Sequence, residues 1–532
     1  MRFLPLIIVL AATALCAWWA VTSHGLWAHI FLAILSVISG FGLYDLVQTR
    51  HSIWRNFPLI GRVRWLGETL RPFLRSYIVE AETEGRPFNH ETRVMVYRRS
   101  KDVSSVEPFG SLIDMDKPPY EWVNHTMAPG KPETDHPRVN VGAPGTAQPY
   151  SASVFNISAM SFGSLGAKAI EALNRGAAKG EFYHDSGEGG ISRYHKAGGG
   201  DLVYELGSGY FGSRAADGSF DPERFKDVSA DPQVKMIEIK LSQGAKPGKG
   251  GVLPGEKVTP EIAEARGIPV GETCYSPASH SAFSTPLELM EFVATLRDLS
   301  GGKPVGLKFC VGQPHEVLAL VKASLETGIR PDFMVVDGSE GGTGAAPAEF
   351  QDHVGMPLRQ GLILTRNALV GAEIKDDIRL AASGKLMSSF ELAATMAIGA
   401  DWVNSARGFM FALGCIQSLH CHENTCPTGI ATTDASRQRG LVVPEKADRV
   451  AAFHRNTVRA LMDVVVAAGC AHPGELRPDM VMHRVTEDVA RPLDQAYGLL
   501  EPGALIDNAG ATYLGQSWKA AQAASFRPLG AN

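Results

Sequence analysis

The first 46 residues contain two long apolar segments with almost no charge. Residues 3–22 carry no charged side chain, and residues 26–44 carry only the titratable His29. About 20 helical residues, at about 1.5 Å each, span a hydrocarbon core about 30 Å thick. Arginines follow at positions 50, 55, 62 and 64, and positive charge collects on the cytoplasmic side of membranes. The pattern predicts a transmembrane helical hairpin over residues 1–46, with the rest of the chain in the cytoplasm. A cleaved signal peptide is the alternative, which the second apolar span disfavours.

Residues 47–150 show no single hydrophobic period. Aromatic and aliphatic residues alternate with arginines between positions 54 and 66, which is typical of a helix that lies on a membrane surface. Packing of the same residues against the following domain explains the pattern equally well. Residues 115–150 are rich in Pro, Gly and His and are expected to form a long irregular connector.

From residue 150 to 415, short apolar runs alternate with segments of helical period, within a predicted barrel domain of residues 151–435. Repeated strand–helix units predict a parallel sheet, and about 265 residues suit a (β/α)8 TIM barrel, which takes about 250. A doubly wound open sheet is the alternative, but it would prefer an early Gly-x-Gly-x-x-Gly turn that opens a helix, and none is predicted. The predicted strands are 154–160, 235–241, 304–311, 332–338, 378–384 and 401–408. The predicted helices are 287–299, 315–327, 358–370 and 389–398, and residues 436–532 are expected to form a helical C-terminal extension.

Glycine and polar residues collect directly after the predicted strands. In a barrel these positions form the C-terminal face, where ligands bind. The turns Ser383-Gly384-Lys385 and Ala406-Arg407-Gly408 each follow an apolar strand and precede a helix. Backbone N–H groups at a helix N-terminus bind phosphate, and barrels often place a phosphate site after their last two strands. A phosphate-bearing cofactor such as FMN is therefore expected at these two turns.

Composition and charge narrow the class of protein. Apolar residues make up 45% of the chain and charged residues 20%, so a sizeable core can form. The formal net charge is −5 and no basic stripe is present, so nucleic acid is not an expected partner.

Three of the seven cysteines lie within twelve residues. Cys415, Cys421 and Cys426 have the spacing C-x5-C-x4-C, and such a density of thiols indicates a metal site. An iron–sulfur cluster with three local thiolates fits this spacing. Zinc is the simpler alternative, with His420 or His422 as the fourth ligand, although the separations exceed those usual for zinc.

Over residues 150–435 the chain closely resembles the FMN-binding synthase domain of glutamate synthases. The stretches that carry the resemblance are AMSFGSL (159–165), DSGEGG (185–190), IKLSQGAKPGKGGVLPGEKV (239–258), SPASH (276–280), LKFCVG (307–312), GGTGAAP (341–347) and ALGCIQSLHCHENTCPTGIAT (412–432). The last stretch is similar to the family's [3Fe–4S] loop, cysteine for cysteine. The resemblance implies an oxidoreductase in which electrons pass from the cluster to FMN and reduce the imine of 2-oxoglutarate and ammonia to L-glutamate.

The resemblance also implies roles for individual residues. Lys308 would stabilise negative charge on the reduced flavin, Gln243 would bond to its polar edge, and Glu188 would do acid–base work or bind the imine. The implied FMN contacts are Ser161, Gln243, Lys308, Gly341, Gly342, Thr343, Ser383, Gly384, Lys385, Ala406, Arg407 and Gly408. The implied substrate contacts are Lys240, Lys246 and His280, and the implied cluster ligands are Cys415, Cys421 and Cys426.

The chain departs from the family in three respects. Membrane helices stand where large glutamate synthases carry an amidotransferase domain, so a separate amidotransferase subunit is a possible partner. No nicotinamide-binding fingerprint is found, so an external reductase or ferredoxin-like carrier is the expected electron donor. Ala382-Ser383-Gly384 replaces the family's Asp-Gly-Gly, which affects the expected phosphate contacts. Two alternative functions remain at this point: a synthase of an N-substituted amino acid, and an electron-transfer subunit of a larger complex.

Overall fold

The computed structural model describes residues 2–104, 106–142 and 146–530. The chain forms two compact units, Met1–Glu91 and Thr92–Asn532. The first unit contains five helical segments: Leu4–Ser23, Leu26–Val47, Ser52–Asn56, Ile60–Leu74 and the π-helix Arg75–Val79. The helix His90–Ser100 begins at the boundary between the units.

The two N-terminal helices match the predicted hairpin. Leu4–Ser23 and Leu26–Val47 are both long and apolar enough to cross a membrane. Most of their side chains are exposed, including Trp18 and Trp27 at 70% and 68%. This exposure distinguishes them from the core helices of a water-soluble domain, which bury their apolar side chains.

The second unit is built on a closed barrel of eight parallel strands, which follow one another around the barrel in chain order. This arrangement confirms the TIM-barrel prediction and excludes the open sheet. The strands are β1 Phe155–Ile157, β2 His184–Asp185, β3 Leu202–Leu206, β4 Val234–Lys240, β5 Val305–Phe309, β6 Phe333–Asp337, β7 Arg379–Ser383 and β8 Trp402–Ser405.

Sequence reasoning missed β2 and β3. Strand β2 has only two residues, too few for an alternating pattern. Residues 207–212, directly after β3, read Gly-x-Gly-x-x-Gly, but they form turns and do not open a helix. They therefore lack the helix N-terminus on which a dinucleotide-binding βα turn depends.

The helices of the second unit cover the outside of the barrel, and the four predicted helices are present. Capping boxes at Thr285 and Ser388 fix the starts of two of them. The helices are Ala167–Gly180, Arg193–Lys196, Pro222–Ser229, Pro260–Arg266, Pro286–Leu299, Pro314–Thr327, Ala348–His353, Leu358–Gly371, Ser389–Ile398, Arg407–Leu413, Ala435–Gln438, Val443–Ala467, Leu493–Tyr497, Ala504–Asn508 and Gly515–Ala520.

The long helix Val443–Ala467 packs on the first barrel helix, Ala167–Gly180. A Cβ at Gly176 would lie 2.4 Å from Val450 Cγ1, so the close approach of the two helices requires glycine there. The outer layer of the barrel therefore draws on residues beyond 435, in the segment predicted as a C-terminal extension. That segment also contains strands Val481–Arg484 and Ala490–Pro492, which form a small antiparallel sheet with Glu121–Val123.

One end of the barrel is closed by a β-hairpin, Arg138–Val141 paired with Tyr150–Ser153. Val141, Tyr150 and Ala152 of the hairpin belong to one buried apolar cluster with residues near the strand starts: Tyr183, Val203, Met236, Phe333, Val335, Ala381 and Trp402. The hairpin thus plugs the N-terminal end of the barrel. The strand ends, with their glycine-rich loops, remain at the opposite, C-terminal face.

Candidate functional site

Lys308 lies inside the barrel, surrounded by acidic side chains from three neighbouring strands. Its ammonium donates a hydrogen bond to Glu205 of β3. It also lies 3.5 Å from Glu238 Oε1 on β4 and 3.9 Å from Asp185 Oδ2 at the end of β2. Lys308 is 3% exposed, and the three acids are 1–2% exposed. The side chain is therefore an enclosed cation and not a solvated strand-end charge.

The electrostatics of this cluster follow from burial and charge balance. Burial lowers the pKa of Lys308, but the surrounding carboxylates outweigh it and hold that pKa well above its usual value. Burial and the neighbouring Asp185 raise the pKa of Glu238 well above its usual value, although Lys308 opposes the shift. Burial and Glu205 likewise raise the pKa of Asp185, to about 7. These shifts hold Lys308 as a cation and favour the protonated form of Glu238.

A second pair of opposite charges lies beside the first cluster. Lys240, the last residue of β4, donates to Glu188 Oε2 at 2.9 Å and to Gln243 Oε1 at 2.6 Å, and lies 3.7 Å from Glu205 Oε1. Burial would raise the pKa of Glu188, but the charge and hydrogen bond of Lys240 outweigh it and lower that pKa to about 2. Glu188 is therefore ionised at neutral pH, which suits it to accept hydrogen bonds from a cationic group and not to act as a proton donor.

The loops after β4 and β6 are held together at the same face. Gln243 Nε2 donates to Thr343 Oγ1 at 3.4 Å, and Lys246 Nζ donates to the carbonyl of Ala345 at 3.0 Å. A Cβ at Gly244 would lie 1.7 Å from the carbonyl oxygen of Gly338, so only glycine permits this contact. These contacts place the predicted flavin and substrate residues of the two loops side by side.

The loops after β6 and β8 also meet. Arg407 Nη2 donates to the carbonyl of Glu340 at 2.6 Å. A Cβ at Gly342 would lie 2.8 Å from Arg407 Nε, and a Cβ at Gly341 would lie 2.9 Å from the Gly338 carbonyl oxygen. Burial lowers the pKa of Arg407 to about 10, so it stays a cation at neutral pH.

The turn after β7 contains two residues in succession with positive φ. Gly384 has φ +147° and Lys385 φ +53°, and the helix Ser389–Ile398 begins shortly afterwards. Ser383 is buried, with its Oγ 3.3 Å from Ser158 Oγ at the end of β1. The second predicted phosphate turn, Ala406-Arg407-Gly408, ends β8 and opens the helix Arg407–Leu413. The two turns follow adjacent strands, so they suit one shared phosphate group.

Ser161 and His280 are each held by contacts with other loops or strands of the barrel. Ser161 lies against the loop after β2, where a Cβ at Gly187 would come within 2.7 Å of its backbone nitrogen. His280 is buried, and both its ring nitrogens have protein partners: the Lys240 carbonyl at 2.9 Å and the Tyr210 hydroxyl at 3.2 Å. Burial lowers the pKa of His280 to about 4, so it is neutral. These partners argue against the expected substrate contact and indicate that His280 supports the end of β4.

The cysteine loop follows the helix Arg407–Leu413 and winds back on itself through positive-φ residues Gln417, Leu419 and Asn424. Cys426 is buried, while Cys415 and Cys421 are partly exposed. Burial raises the pKa values of Cys415 and Cys421, and neighbouring thiols of the loop raise them further. Burial opposes ionisation of Cys426 as well, but hydrogen bonds from Thr428 and nearby backbone groups lower its pKa.

The two histidines of the cysteine loop contact Glu423. His420 Nδ1 lies 2.6 Å from Glu423 Oε2, and His422 Nε2 lies 3.7 Å from Glu423 Oε1. Both side chains are about half exposed. This arrangement does not favour either as the fourth ligand of a zinc site.

A buried lysine faces the same loop. Lys257, 3% exposed, donates to the carbonyl oxygens of Cys421 at 2.7 Å, Ala431 at 3.3 Å and Ser164 at 3.5 Å. Within the described parts of the chain, no carboxylate forms an ion pair with it. A buried ammonium without a counter-charge is costly, and thiolates holding a metal cluster would supply that charge. The surroundings of the three cysteines therefore fit an anionic iron–sulfur cluster.

Sequence reasoning missed Asp185, Glu205, Glu238 and Lys257. The available signal was a single acidic residue inside an apolar strand, Glu205 in LVYEL and Glu238 in KMIEIKL. Acidic residues are almost never fully buried unless they are paired. Each of these glutamates therefore indicates a buried partner, but the sequence does not identify that partner.

Comparisons with known proteins identify the family of the chain. Residues 140–471 match the family model described as the conserved region in glutamate synthase. The glutamate synthase large subunit-like protein YerD of Bacillus subtilis is 37% identical over 83% of this chain and 91% of its own length. The archaeal-type glutamate synthase [NADPH] of Thermotoga maritima is 32% identical over 58% of this chain, and the chain spans 58% of that relative's length.

Two solved structures are similar in part. A mandelate oxidase is 16% identical, with a TM-score of 0.40 over 74% of this chain and 90% of its own. The recombinant flavin-binding domain of baker's yeast flavocytochrome b2 is 13% identical, with a TM-score of 0.40 over 76% of this chain and 83% of its own.

Proposed function

The chain is an oxidoreductase that belongs to the glutamate synthase family, and from that premise we propose that it forms L-glutamate reductively from 2-oxoglutarate and ammonia. The observation that carries the proposal is the enclosed cation Lys308 beside the Lys240–Glu188 pair at the C-terminal face of the barrel. Ammonia condenses with the 2-oxo group and releases water. The carbon–nitrogen double bond then takes up two electrons and two protons and becomes the amine of glutamate.

FMN is the proposed cofactor of the barrel, and it would supply hydride transfer. Lys308 is placed to hold positive charge where negative charge develops. The turns at Ser383–Lys385 and Ala406–Gly408 would bind the phosphate through backbone N–H groups. Gly341–Thr343, Gln243 and Ser161 would contact the flavin from the loops after β6, β4 and β1. A Cβ at Gly344 would meet no atom within 4 Å, so the loop after β6 borders open space in which the planar ring would lie.

The substrate fits the remaining charges. Lys240 and Lys246 provide cations for the two carboxylates of 2-oxoglutarate. Glu188, ionised and bonded to Lys240, would accept a hydrogen bond from the protonated imine nitrogen. Glu188 would hold this group in position and favour its cationic form.

A [3Fe–4S] cluster on Cys415, Cys421 and Cys426 is the proposed entry point for electrons, and it would supply one-electron transfer. Lys257 balances the charge of the loop and also contacts Ser164, in the loop that carries Ser161. This lysine thereby links the cysteine loop to the C-terminal face of the barrel. An external reductase or ferredoxin-like carrier would provide the electrons.

The two apolar helices support attachment to a membrane, with the barrel in the cytoplasm. Arginines directly after the second helix favour this orientation. A separate amidotransferase subunit could supply ammonia to the site.

The test is turnover of the reduced, purified full-length chain with 2-oxoglutarate and ammonium. Glutamate should form with ammonium, and much more slowly in Lys308→Met than in the control Lys226→Met, which changes an exposed lysine on an outer helix. The same assay with primary amines in place of ammonium tests the alternative function. Turnover with an amine and none with ammonium would replace glutamate formation by the synthesis of an N-substituted amino acid.

A further inference from the structure

The helix Ile60–Leu74 exposes an apolar face along its whole length. Apolar residues recur every three or four positions, which places them on one side of a helix. Each of these side chains is 43–63% exposed: Ile60, Val63, Leu66, Leu70, Phe73 and Leu74. A continuous apolar face of this kind marks a contact with lipid or with another protein.

Three arginines border this face. Arg64 and Arg71 are seven residues apart, so they lie on nearly the same side of the helix, and Arg75 follows one turn later. Together these arginines line a groove with Leu74 and Val79, which Glu68, Glu80 and Glu84 also border. Glu68 lies 3.8 Å from Arg64 in an ion pair. Over residues 48–79 the chain has six arginines and one acidic residue.

The start of this helix is fixed to the end of the second apolar helix. Asp45 is fully buried and accepts hydrogen bonds from Arg62 Nη2 at 2.6 Å and from the Leu59 amide at 3.0 Å. The Arg62 guanidinium also lies over the rings of Phe41 and Trp54, at 4.9 and 4.4 Å. The exposed face is therefore held beside the point where the apolar helix Leu26–Val47 would leave the bilayer.

We propose that Ile60–Leu74 lies in the surface of the membrane that the two apolar helices cross, and that Arg64, Arg71 and Arg75 bind the phosphates of anionic phospholipids. Three features select this partner. The apolar face continues from a membrane-spanning segment, the flanking charge is positive, and arginine suits phosphate. The proposal rests on the membrane attachment proposed above and adds a lipid preference that two spanning helices alone do not provide.

The experiment uses the full-length chain in nanodiscs of phosphatidylcholine, with or without phosphatidylglycerol. Hydrogen–deuterium exchange reports the protection of the amides of residues 60–74. We expect protection at least tenfold greater with phosphatidylglycerol. That difference should vanish in the triple variant Arg64→Gln/Arg71→Gln/Arg75→Gln. It should persist in the control Arg193→Gln/Arg224→Gln/Arg477→Gln, which removes the same charge from exposed sites. Equal protection in the two lipids would overturn the anionic-lipid preference.

A second measurement identifies what covers the apolar face. A photo-crosslinking residue at Leu70 should label lipid, while the same residue at Glu68, on the same side of the helix as Arg64, should label it much less. Cross-linking of position 70 to another segment of protein would show that the face packs on protein and would overturn the proposal. Retention of the chain in membranes after a high-salt wash tests the anchor separately, so failure of the anchor is distinguishable from failure of the surface helix.

Discussion

At the residue scale, the charge of Lys308 is the central feature of the barrel. Its three acidic neighbours come from β2, β3 and β4, so the lysine is held from three sides. Glu205 forms the closest contact and also lies near Lys240. The two lysines thus share one carboxylate, and a change at Glu205 disturbs both of them.

We expect Lys308→Met to lower the rate of substrate-dependent reoxidation by about 10²–10³-fold, the usual effect of removing one electrostatic donor at a developing charge. Glu205→Gln retains Lys308 but removes the carboxylate that fixes its position, so the reoxidation rate should fall less than in Lys308→Met. Stopped-flow measurement of flavin reoxidation compares the variants, with Glu223→Gln at an exposed site as the control. A normal rate in Lys308→Met would place this residue outside the reaction.

Glu238 provides a test of protonation. Burial and Asp185 hold the pKa of Glu238 well above the usual value, so we expect this carboxyl group to stay protonated at neutral pH. Infrared difference spectra should show a protonated carboxyl band at pH 7 that disappears in Glu238→Gln. The band should weaken only as the pH rises toward the elevated pKa. Its absence at pH 6 in the wild-type protein would contradict a neutral Glu238.

Lys257 provides a test of the cysteine loop. Its charge is buried 2.7 Å from the Cys421 carbonyl, and net charge and hydrogen bonding set the potential of an iron–sulfur cluster. Lys257→Met should make the cluster harder to reduce by tenfold or more, which is about 59 mV for one electron. Lys257→Arg keeps the positive charge and should leave the reduction potential nearly unchanged. A redox titration followed by electron paramagnetic resonance measures both, and an unchanged potential in the methionine variant would show that the charge is too distant to matter.

At the element scale, the strand–helix alternation predicted the barrel well because strongly apolar strands and capped helices carry clear periodic signals. The two-residue β2 and the polar Glu205 within β3 gave no such signal, so two strands were missed. The resemblance predicts a site at Gly341–Thr343, and the structure has this loop directly after β6, at the C-terminal face. The partners of Lys308 were not foreseen, because pairing across a barrel depends on strand register, which one sequence does not reveal.

Loop contact at Gly244 offers a test at this scale. The amide of Gly244 donates to Asp337 Oδ2 at 2.8 Å, and a Cβ at this position would lie 1.7 Å from the Gly338 carbonyl oxygen. Gly244→Ala should therefore push the loops after β4 and β6 apart and lower the bound flavin per chain severalfold. Gly440→Ala, at an exposed turn, should leave it unchanged. Flavin released by acid and compared with protein concentration gives the result, and full occupancy in Gly244→Ala would show that the loops adapt.

At the scale of the whole molecule, the nitrogen donor follows from the surroundings of the cysteines. Release of ammonia from glutamine needs an activated nucleophile, and cysteine acts as one only as a thiolate. Cys16 lies in an apolar helix and Cys274 is buried. Burial raises the pKa of Cys310 to about 12 and also raises that of Cys470. The other cysteines belong to the loop proposed to hold the cluster.

We therefore expect this chain by itself to use free ammonium and not glutamine. With 2-oxoglutarate and an artificial reductant, the purified chain should form glutamate from ammonium, while glutamine as the sole nitrogen donor should give less than a tenth of that rate. Adding an unrelated glutaminase to the glutamine reaction should restore glutamate formation, which shows that the synthase site is active under the same conditions. Equal rates with glutamine and ammonium, in a preparation free of contaminating glutaminase, would require a nucleophile that none of these cysteine environments accounts for.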